Sequence, residues 1–243
     1  MREREIFAAL TALPPLYVRL DGRAFHRLAR ALELARPFDQ GFAAAMASVA
    51  RRLVADSGAS PVFAYTFSDE ISCFFTELPF GGRVEKLDSV LAAYAASALT
   101  IELGLAEPVA FDARVVFVDP PSAFVYLAGR QAEAWRNHIN AYAQAVLVGD
   151  GLSPREAAAR LRGLASPALH ELAFRHGINL GETPAWQRRG TLVFRRPVEV
   201  SGRDPRTGEV ATAIRSRAMI DLDLPLFNSE EGRALLARLI PGL

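Results

Sequence analysis

The sequence predicts an α+β fold. Residues 1–120 follow the order strand, helix, strand, strand, helix, strand, and residues 121–243 add a helical and β-hairpin lobe packed on them as one integrated unit. Two observations carry this expectation. The first half alternates β-rich runs with two amphipathic helices, and the second half turns helical after Pro120-Pro121 before two strands around a turn-rich stretch. With 243 residues, 51% of them hydrophobic, the chain is long enough to bury a full core.

Residues 16–21 alternate as a strand behind Pro14-Pro15, with Tyr17, Arg19 and Asp21 on one face and Leu16, Val18 and Leu20 on the other. Residues 39–55 place Phe42, Met46, Val49 and Leu53 at helical spacing after Pro37. Residues 62–67 and 71–76 are β-rich runs joined by Ser68-Asp69-Glu70, which reads as a hairpin turn. A second helix spans 84–103, between Gly81-Gly82 and Gly104, with Leu87, Leu91, Tyr94, Ala95 and Leu99 on one stripe. Residues 113–118 form the fourth strand. Beyond it, helices are expected over 122–148, with a break at Gly129, over 154–162 and over 167–176. Strands over 191–200 and 210–217 flank the turn at 202–208.

That order is the split βαβ arrangement of ferredoxin-like folds, the topology of a polymerase-palm catalytic core. Its first and third strands are central neighbours, so the end of the first, at Asp21, comes beside the start of the third, at Asp69 and Glu70. Strands lie about 4.8 Å apart, which lets carboxylates from both ends reach a shared pair of divalent metal ions. Asp-Gly alone reads as an ordinary turn. The second acidic turn gives the first its chemical meaning. Residues 22–27 follow with backbone N–H groups and the Arg23, His26 and Arg27 side chains, a set suited to phosphate.

Other readings are bounded by composition. The net charge of +1 excludes a uniformly basic coat, although residues 188–217 carry eight Arg against Glu199, Asp204 and Glu209 and suit either phosphate contacts or an exposed hairpin. The single Cys73 excludes an intramolecular disulfide and reads as a buried strand residue. Neither Gly-x4-Gly-Lys nor Gly-x-Gly-x-x-Gly occurs, which sets aside P-loop and Rossmann nucleotide sites. No stretch has the length of a membrane span, and the charged opening does not match a signal peptide, so a cytoplasmic location is expected. Of 28 basic residues only Lys86 is lysine, an exception compatible with phosphate binding or with chance. His138 and Tyr142 share a helix face, and a satisfied packing cluster explains them without any chemistry.

These residues resemble the tRNA-histidine guanylyltransferases and their bacterial and archaeal relatives. The resemblance spans nearly the whole chain. It rests on Val18-Arg19-Leu20-Asp21-Gly22-Arg23-Ala24-Phe25-His26-Arg27, Pro37-Phe38-Asp39, the run from Phe63 through Ser68-Asp69-Glu70, Lys86, Phe111-Asp112-Ala113-Arg114-Val115, His138-Ile139-Asn140 and Pro184-Ala185-Trp186-Gln187-Arg188-Arg189-Gly190-Thr191. The resemblance implies a palm-like nucleotidyltransferase that works in the 3′-to-5′ direction at the 5′ end of tRNA. It assigns two Mg2+ to Asp21, the Gly22 carbonyl and Asp69, with Glu70 beside them. Nucleoside triphosphates, ATP or GTP among them, fall to Gly22, Arg23, Ala24, Phe25, His26, Arg27, Asp39, Ser68 and Lys86. His138, Asn140, Arg188 and Arg189 fall to the RNA or its activated end. A homotetramer built as a dimer of dimers is the implied assembly.

Two departures bear on specificity. Ala141 breaks the family's His-Ile-Asn-Asn motif, and Leu169 stands where a basic residue is expected. The expectation is therefore template-dependent repair of 5′-truncated tRNA, with dedicated guanylate addition to tRNA-histidine as its alternative. A palm-type nucleotide cyclase and a non-catalytic RNA-binding module are the more remote ones.

Overall fold

The structure, a computed structural model, describes residues 4–203 and 206–243; residues 1–3 of the charged opening and 204–205 of the expected turn lie outside the described residues. One antiparallel sheet of six strands organises the chain. The strands are β1 (Leu16–Gly22), β2 (Phe63–Phe67), β3 (Glu70–Phe75), β4 (Phe111–Phe117), β5 (Thr191–Arg203) and β6 (Val210–Asp221), and their spatial order is β4-β1-β3-β2-β5-β6. The expected neighbours β1 and β3 pair along their length. Because β5 pairs with β2, the sheet continues across the expected division at residue 120.

The alternation of β1 decides which layer each face meets. Leu16, Val18 and Leu20 are fully buried with Met46, Val49 and Leu53 of α2 (Gln40–Ala55) and Leu87, Leu91 and Leu99 of α3 (Val84–Glu102). Tyr17, on the opposite face, packs with Phe63, Tyr65 and Phe74 against Phe124 and Leu127 of α4 (Pro120–Gly149). The Tyr17 hydroxyl donates to the Ala123 carbonyl at 3.0 Å, so its polar tip is satisfied where the ring is buried. Each such large side chain contributes about 1.5–3 kcal/mol through burial.

Three local outcomes differ from the sequence expectation. The stretch after Gly22 is a short helix, α1 (Phe25–Ala31), because Phe25 is pulled inward against Phe42 and Phe111. α4 runs unbroken through Gly129, about 45 Å at 1.5 Å per residue. A helical glycine costs about 1 kcal/mol, and buried Phe124, Leu127, Ala134 and Ile139 on either side offset it. Asp119 and Ser122 cap its start reciprocally, with Pro120-Pro121 in the first turn, where no N–H is needed. Lastly, the second-half strands are longer than expected, 13 and 12 residues. Past Phe194 they leave the sheet as a two-stranded ribbon.

A smaller core joins the C-terminal half of α4 to α5 (Pro154–Leu161) and α6 (Ser166–Arg175) through Ile139, Leu147, Leu161 and Leu169. The short α7 (Ala185–Arg189) leads into β5, and α8 (Glu230–Ala237) closes the Tyr17 face with Leu235 and Leu236. No helix among the described residues is long and apolar enough to cross a membrane.

Candidate functional site

At one end of the sheet Asp21 faces Glu70 of β3 on one side and Asp112 of β4 on the other. Directly opposed residues of antiparallel strands point to the same face, their Cβ atoms about 5 Å apart, so the three acids form a row. Asp69 lies just beyond it, in the turn closed by the Phe67–Glu70 pair. The Gly22 N–H donates to the Asp69 carbonyl at 3.1 Å, and the Ser68 hydroxyl donates to Asp69 Oδ1 at 3.0 Å. Burial, with the charge of Asp21 adding to it, raises the Asp69 carboxyl above the usual carboxylate range. Asp21, Asp69 and Glu70 thus meet as the topology predicts.

Glu70 takes a different place from the expected one. It is the first residue of β3, not part of the turn, and its carboxylate is directed under the site to Arg130 of α4 at 3.0 Å. Burial pushes it up to about 7 against the opposing pull of Arg130 and Arg19.

Beside the acids opens a cavity of about 610 Å³. Gly22, Ala24, His26, Ser68 and Asp69 form its acidic end, Phe38, Phe42 and Met46 an apolar wall, and Asn137, Asn140, Ala141, Gln144, Trp186 and Gln187 the wall from α4 and α7. This volume falls in the range of small-molecule sites, and the mixture of apolar wall and convergent polar groups is what such sites share.

The other expected residues divide. At Gly22 a Cβ would stand 2.6 Å from the Phe25 ring, so glycine is required there. Phe25 itself is buried and structural, although its ring edge reaches the cavity. Arg23 and Arg27 line a separate groove of about 530 Å³ between α1 and residues 105–110, on the far side of the expected phosphate loop. Asp39 lines the cavity, yet its carboxylate caps α2, accepting from the N–H of Phe42 at 2.7 Å and of Ala35 at 3.0 Å; these bonds hold it below the usual carboxylate range. Lys86 is not brought to this site by its own chain. It lies in the first turn of α3, which follows the distal end of β3; the Val84 N–H there donates to the Leu10 carbonyl, and the Gly82 carbonyl just ahead of the helix accepts from the Ala12 N–H.

Asn140 is exposed on the cavity wall and donates to the Arg136 carbonyl at 2.8 Å. Arg188 and Arg189 are spent on architecture. Arg188 Nε donates to the Thr183 carbonyl at 2.8 Å, and Arg189 Nη1 to the Leu224 carbonyl at 2.7 Å. The ribbon arginines, among them the cross-strand partners Arg196 and Arg217, project from the sheet end opposite Asp69, since β5 runs antiparallel to β2.

His138 is a packing residue behind the cavity, not part of its wall. It is fully buried, stacked between Phe38 and Trp135, with Nε2 2.8 Å from the Thr183 hydroxyl. Burial, then Arg188 and His170, hold it down to about 4. An unfolded histidine takes its proton near pH 6.5, so as pH falls the unfolded chain binds the proton first. The stability this neutral ring contributes is complete above about pH 6.5 and is lost toward pH 4, roughly 2 kcal/mol of it by pH 5. Melting from pH 7.5 to 5 is expected to show a steeper loss of Tm for the natural protein than for His138→Phe; parallel curves would refute this assignment.

Several site residues escaped the sequence reading, and Ala141 entered it only as a break in the family motif. Arg130, Ala134, Asn137, Ala141 and Gln144 recur at steps of three and four along α4, the spacing of one helix face, and all but Arg130 line the cavity. That periodic stripe was the available signal, hidden because its polar members alternate with alanine. Among the described residues no group of three or more His, Cys, Asp or Glu is placed so that it could hold a metal ion. Asp21, Asp69 and the Gly22 carbonyl still present only hard oxygen donors, which suits Mg2+. Burial raises Asp69 and the charge of Asp21 adds to it, and a bound cation would offset both.

Comparison with known proteins accords with this geometry. A profile of the tRNA(His) guanylyltransferase family matches residues 1–119. The chain is 31% identical to the probable tRNA(His) guanylyltransferase of Mus musculus over 230 residues, covering 86% of this chain and 77% of the mouse protein. It is 29% identical to the probable enzyme of that name in Drosophila melanogaster, covering 93% and 80%. Among solved structures, a bacterial tRNA(His) guanylyltransferase-like protein in complex with ATP superposes with a TM-score of 0.74 at 23% identity, over 94% of this chain and 92% of that one. The Saccharomyces cerevisiae tRNA(His) guanylyltransferase gives 0.70 at 25% identity, over 79% and 90%. With a relative above 30% identity matched over more than two thirds of its length, the chain belongs to the tRNA(His) guanylyltransferase family.

Proposed function

We propose that the protein is a nucleotidyltransferase that adds guanylate to the 5′ end of tRNA, working in the 3′-to-5′ direction. The observation that carries the reading is the nucleotide-sized cavity whose end is formed by Gly22, Ser68 and Asp69 beside the Asp21 row. The names of the curated relatives support guanylate addition to tRNA(His) over the broader 5′-end repair expected from sequence. One departure used for repair loses its force: Leu169 is 3% exposed in the helical core, so its identity reports packing. The other retains some, because Ala141 puts a methyl on the cavity wall where the family motif has an amide.

In this reading the apolar wall of Phe38, Phe42 and Met46 takes the base and the end beside Ser68 and His26 takes the triphosphate. Asp21, Asp69 and the Gly22 carbonyl would hold Mg2+, which supplies charge neutralisation for the triphosphate and an activated hydroxyl. A 5′-monophosphate RNA is first adenylylated: an oxygen of its phosphate attacks the α-phosphorus of ATP and pyrophosphate leaves. The 3′-hydroxyl of the incoming nucleotide then attacks the 5′-phosphorus of the RNA and AMP leaves; where the RNA carries a 5′-triphosphate, the same attack expels pyrophosphate directly. The homotetramer remains part of the proposal, supported by the exposure of Leu13 and Phe117, at 75% and 62%, near the sheet end distant from Asp69.

The test is incubation of the protein with Mg2+, ATP and labelled GTP, offering tRNA(His) that lacks its extra 5′ guanylate and, separately, other tRNAs shortened by one nucleotide. Label on tRNA(His) alone supports the proposal. Equal extension of shortened tRNAs would shift the reading to repair, label in a cyclic nucleotide without RNA would shift it to a cyclase, and binding without transfer would leave an RNA-binding module.

A further inference from the structure

We propose that Arg130 is a positioning residue for nucleotide transfer, acting through Glu70 to fix the turn that presents Asp69. The inference rests on the nucleotidyltransferase reading. Arg130 projects from α4 beneath the acid row, and its side chain is 13% exposed against 11% for that of Glu70. Nη1 stands 3.0 Å from Glu70 Oε2, Nη2 bonds Glu133, and the guanidinium lies 5.8 Å from the centre of the Phe67 ring. One planar fork therefore bridges two carboxylates and touches both residues that close the Asp69 turn. A lysine ammonium has no such geometry.

The anchoring of that turn is distributed. The Thr66 hydroxyl donates to the Glu70 carbonyl at 2.7 Å, the Gly22 N–H holds the Asp69 carbonyl, and Arg130 holds the Glu70 carboxylate. Of these three, Arg130 is the one supplied by α4. The next turns of the same helix carry Ala134, Asn137 and Ala141 on the cavity wall, so Arg130 ties that wall to the acidic end. Neither Arg130 nor Glu70 lines the cavity, which is why the role is positioning and not contact with substrate.

Charge makes the tie necessary. Glu70 is opposite Asp21 and adjacent to Asp69, and its Oε1 is buried with no hydrogen-bond partner among the described residues, as is Arg19 Nε. Without Arg130 the Glu70 carboxylate would be buried among like charges with both oxygens unmatched, the arrangement buried ion pairs tolerate least when one partner is removed. The Glu70 side chain then has no cation holding it beneath the site, and the turn carrying Asp69 loses that anchor.

A double-mutant cycle on the full chain tests this, with rates of nucleotide transfer, affinity for Mg·ATP by calorimetry and Tm as readouts. Arg130→Met is expected to lower kcat about 100-fold and to leave KM for nucleotide and RNA within about threefold. Glu70→Gln alone is expected to cost less than about 10-fold, and adding it to Arg130→Met should restore kcat to within about 10-fold of Glu70→Gln, because no unpaired charge remains. If the two losses multiply, or if Arg130→Met acts through KM or Mg·ATP affinity, Arg130 does not work through Glu70 and the proposal is wrong. Should Arg130→Met fail to melt cooperatively, Arg130→Lys decides: a loss of about 10-fold in kcat at nearly unchanged Tm supports the fork, and wild-type kcat overturns it. A natural protein that transfers nothing would count against the functional reading, whereas an active one with multiplicative losses counts only against this role of Arg130.

Discussion

Replacing Asp69 by Asn is expected to reduce nucleotide transfer by about 10³-fold or more while leaving the fold intact. The change keeps the volume and keeps an oxygen for the Ser68 hydroxyl, now 3.0 Å from Oδ1. It removes the negative charge at the end of the cavity. Asp69 is half-buried and raised by burial and by Asp21, so in the folded protein its charge is a burden that only a ligand can turn to use. Tm should therefore hold or rise slightly as activity disappears. Asp21→Asn should behave alike, since Asp21 faces Glu70 and Asp112 across both neighbouring strands and loses repulsion in the same way. Melting curves beside transfer assays of the two variants separate the alternatives. Retention of a tenth of the natural rate by either would sink the two-metal assignment, and a large fall in Tm would mean that the carboxylates serve the fold.

The meeting of Asp21 with Asp69 was legible before any coordinates because it depends only on strand order, and strand order follows from hydrophobic period and the length of the connections. The faces of β1 were legible for the same reason. What escaped depends on contacts between elements distant in sequence. Lys86 reads as a phosphate ligand or as chance while the helix carrying it has no direction; the place where α3 begins is set by the bonds of Val84 to Leu10 and of Gly82 to Ala12. From charge alone Arg188 and Arg189 suit phosphate contacts or an exposed hairpin, and backbone carbonyls of Thr183 and Leu224 take them up. The resemblance gives Asp39 to the nucleotide, although an aspartate followed by an apolar helix is also an N-cap signal. Glu70 and Arg130 are separated by 60 residues, and no local pattern announces that pair.

Gly190→Ala is expected to destabilise the protein by about 3–4 kcal/mol, adding backbone strain to a steric clash. Gly190 closes α7 at φ 72° and ψ −165°, a conformation left almost entirely to glycine. A Cβ there would lie 2.6 Å from the Tyr65 hydroxyl oxygen, 2.7 Å from Cζ and 2.8 Å from the Thr66 carbonyl oxygen. None of these neighbours can yield cheaply. Tyr65 is 1% exposed and donates its hydroxyl to the Arg189 carbonyl at 2.9 Å, and Thr66 pairs with Thr191 where β5 joins the sheet. A Tm lower by roughly 10 °C follows for a chain of this size. Gly163→Ala is the control: its φ is 80° with nothing within 4 Å of a Cβ, so it incurs the strain without the clash and should cost about 1 kcal/mol. If both variants lose the same stability, the clash contributes nothing and the close approach of Tyr65 to Gly190 is not what fixes α7. If Gly190→Ala alone is severely affected, relief has to come from moving α7, and with it Trp186 and Gln187 on the cavity wall. KM for nucleotide or RNA measured well below the lowered Tm should then rise in Gly190→Ala and stay unchanged in Gly163→Ala, because only the first displaces residues that line the cavity.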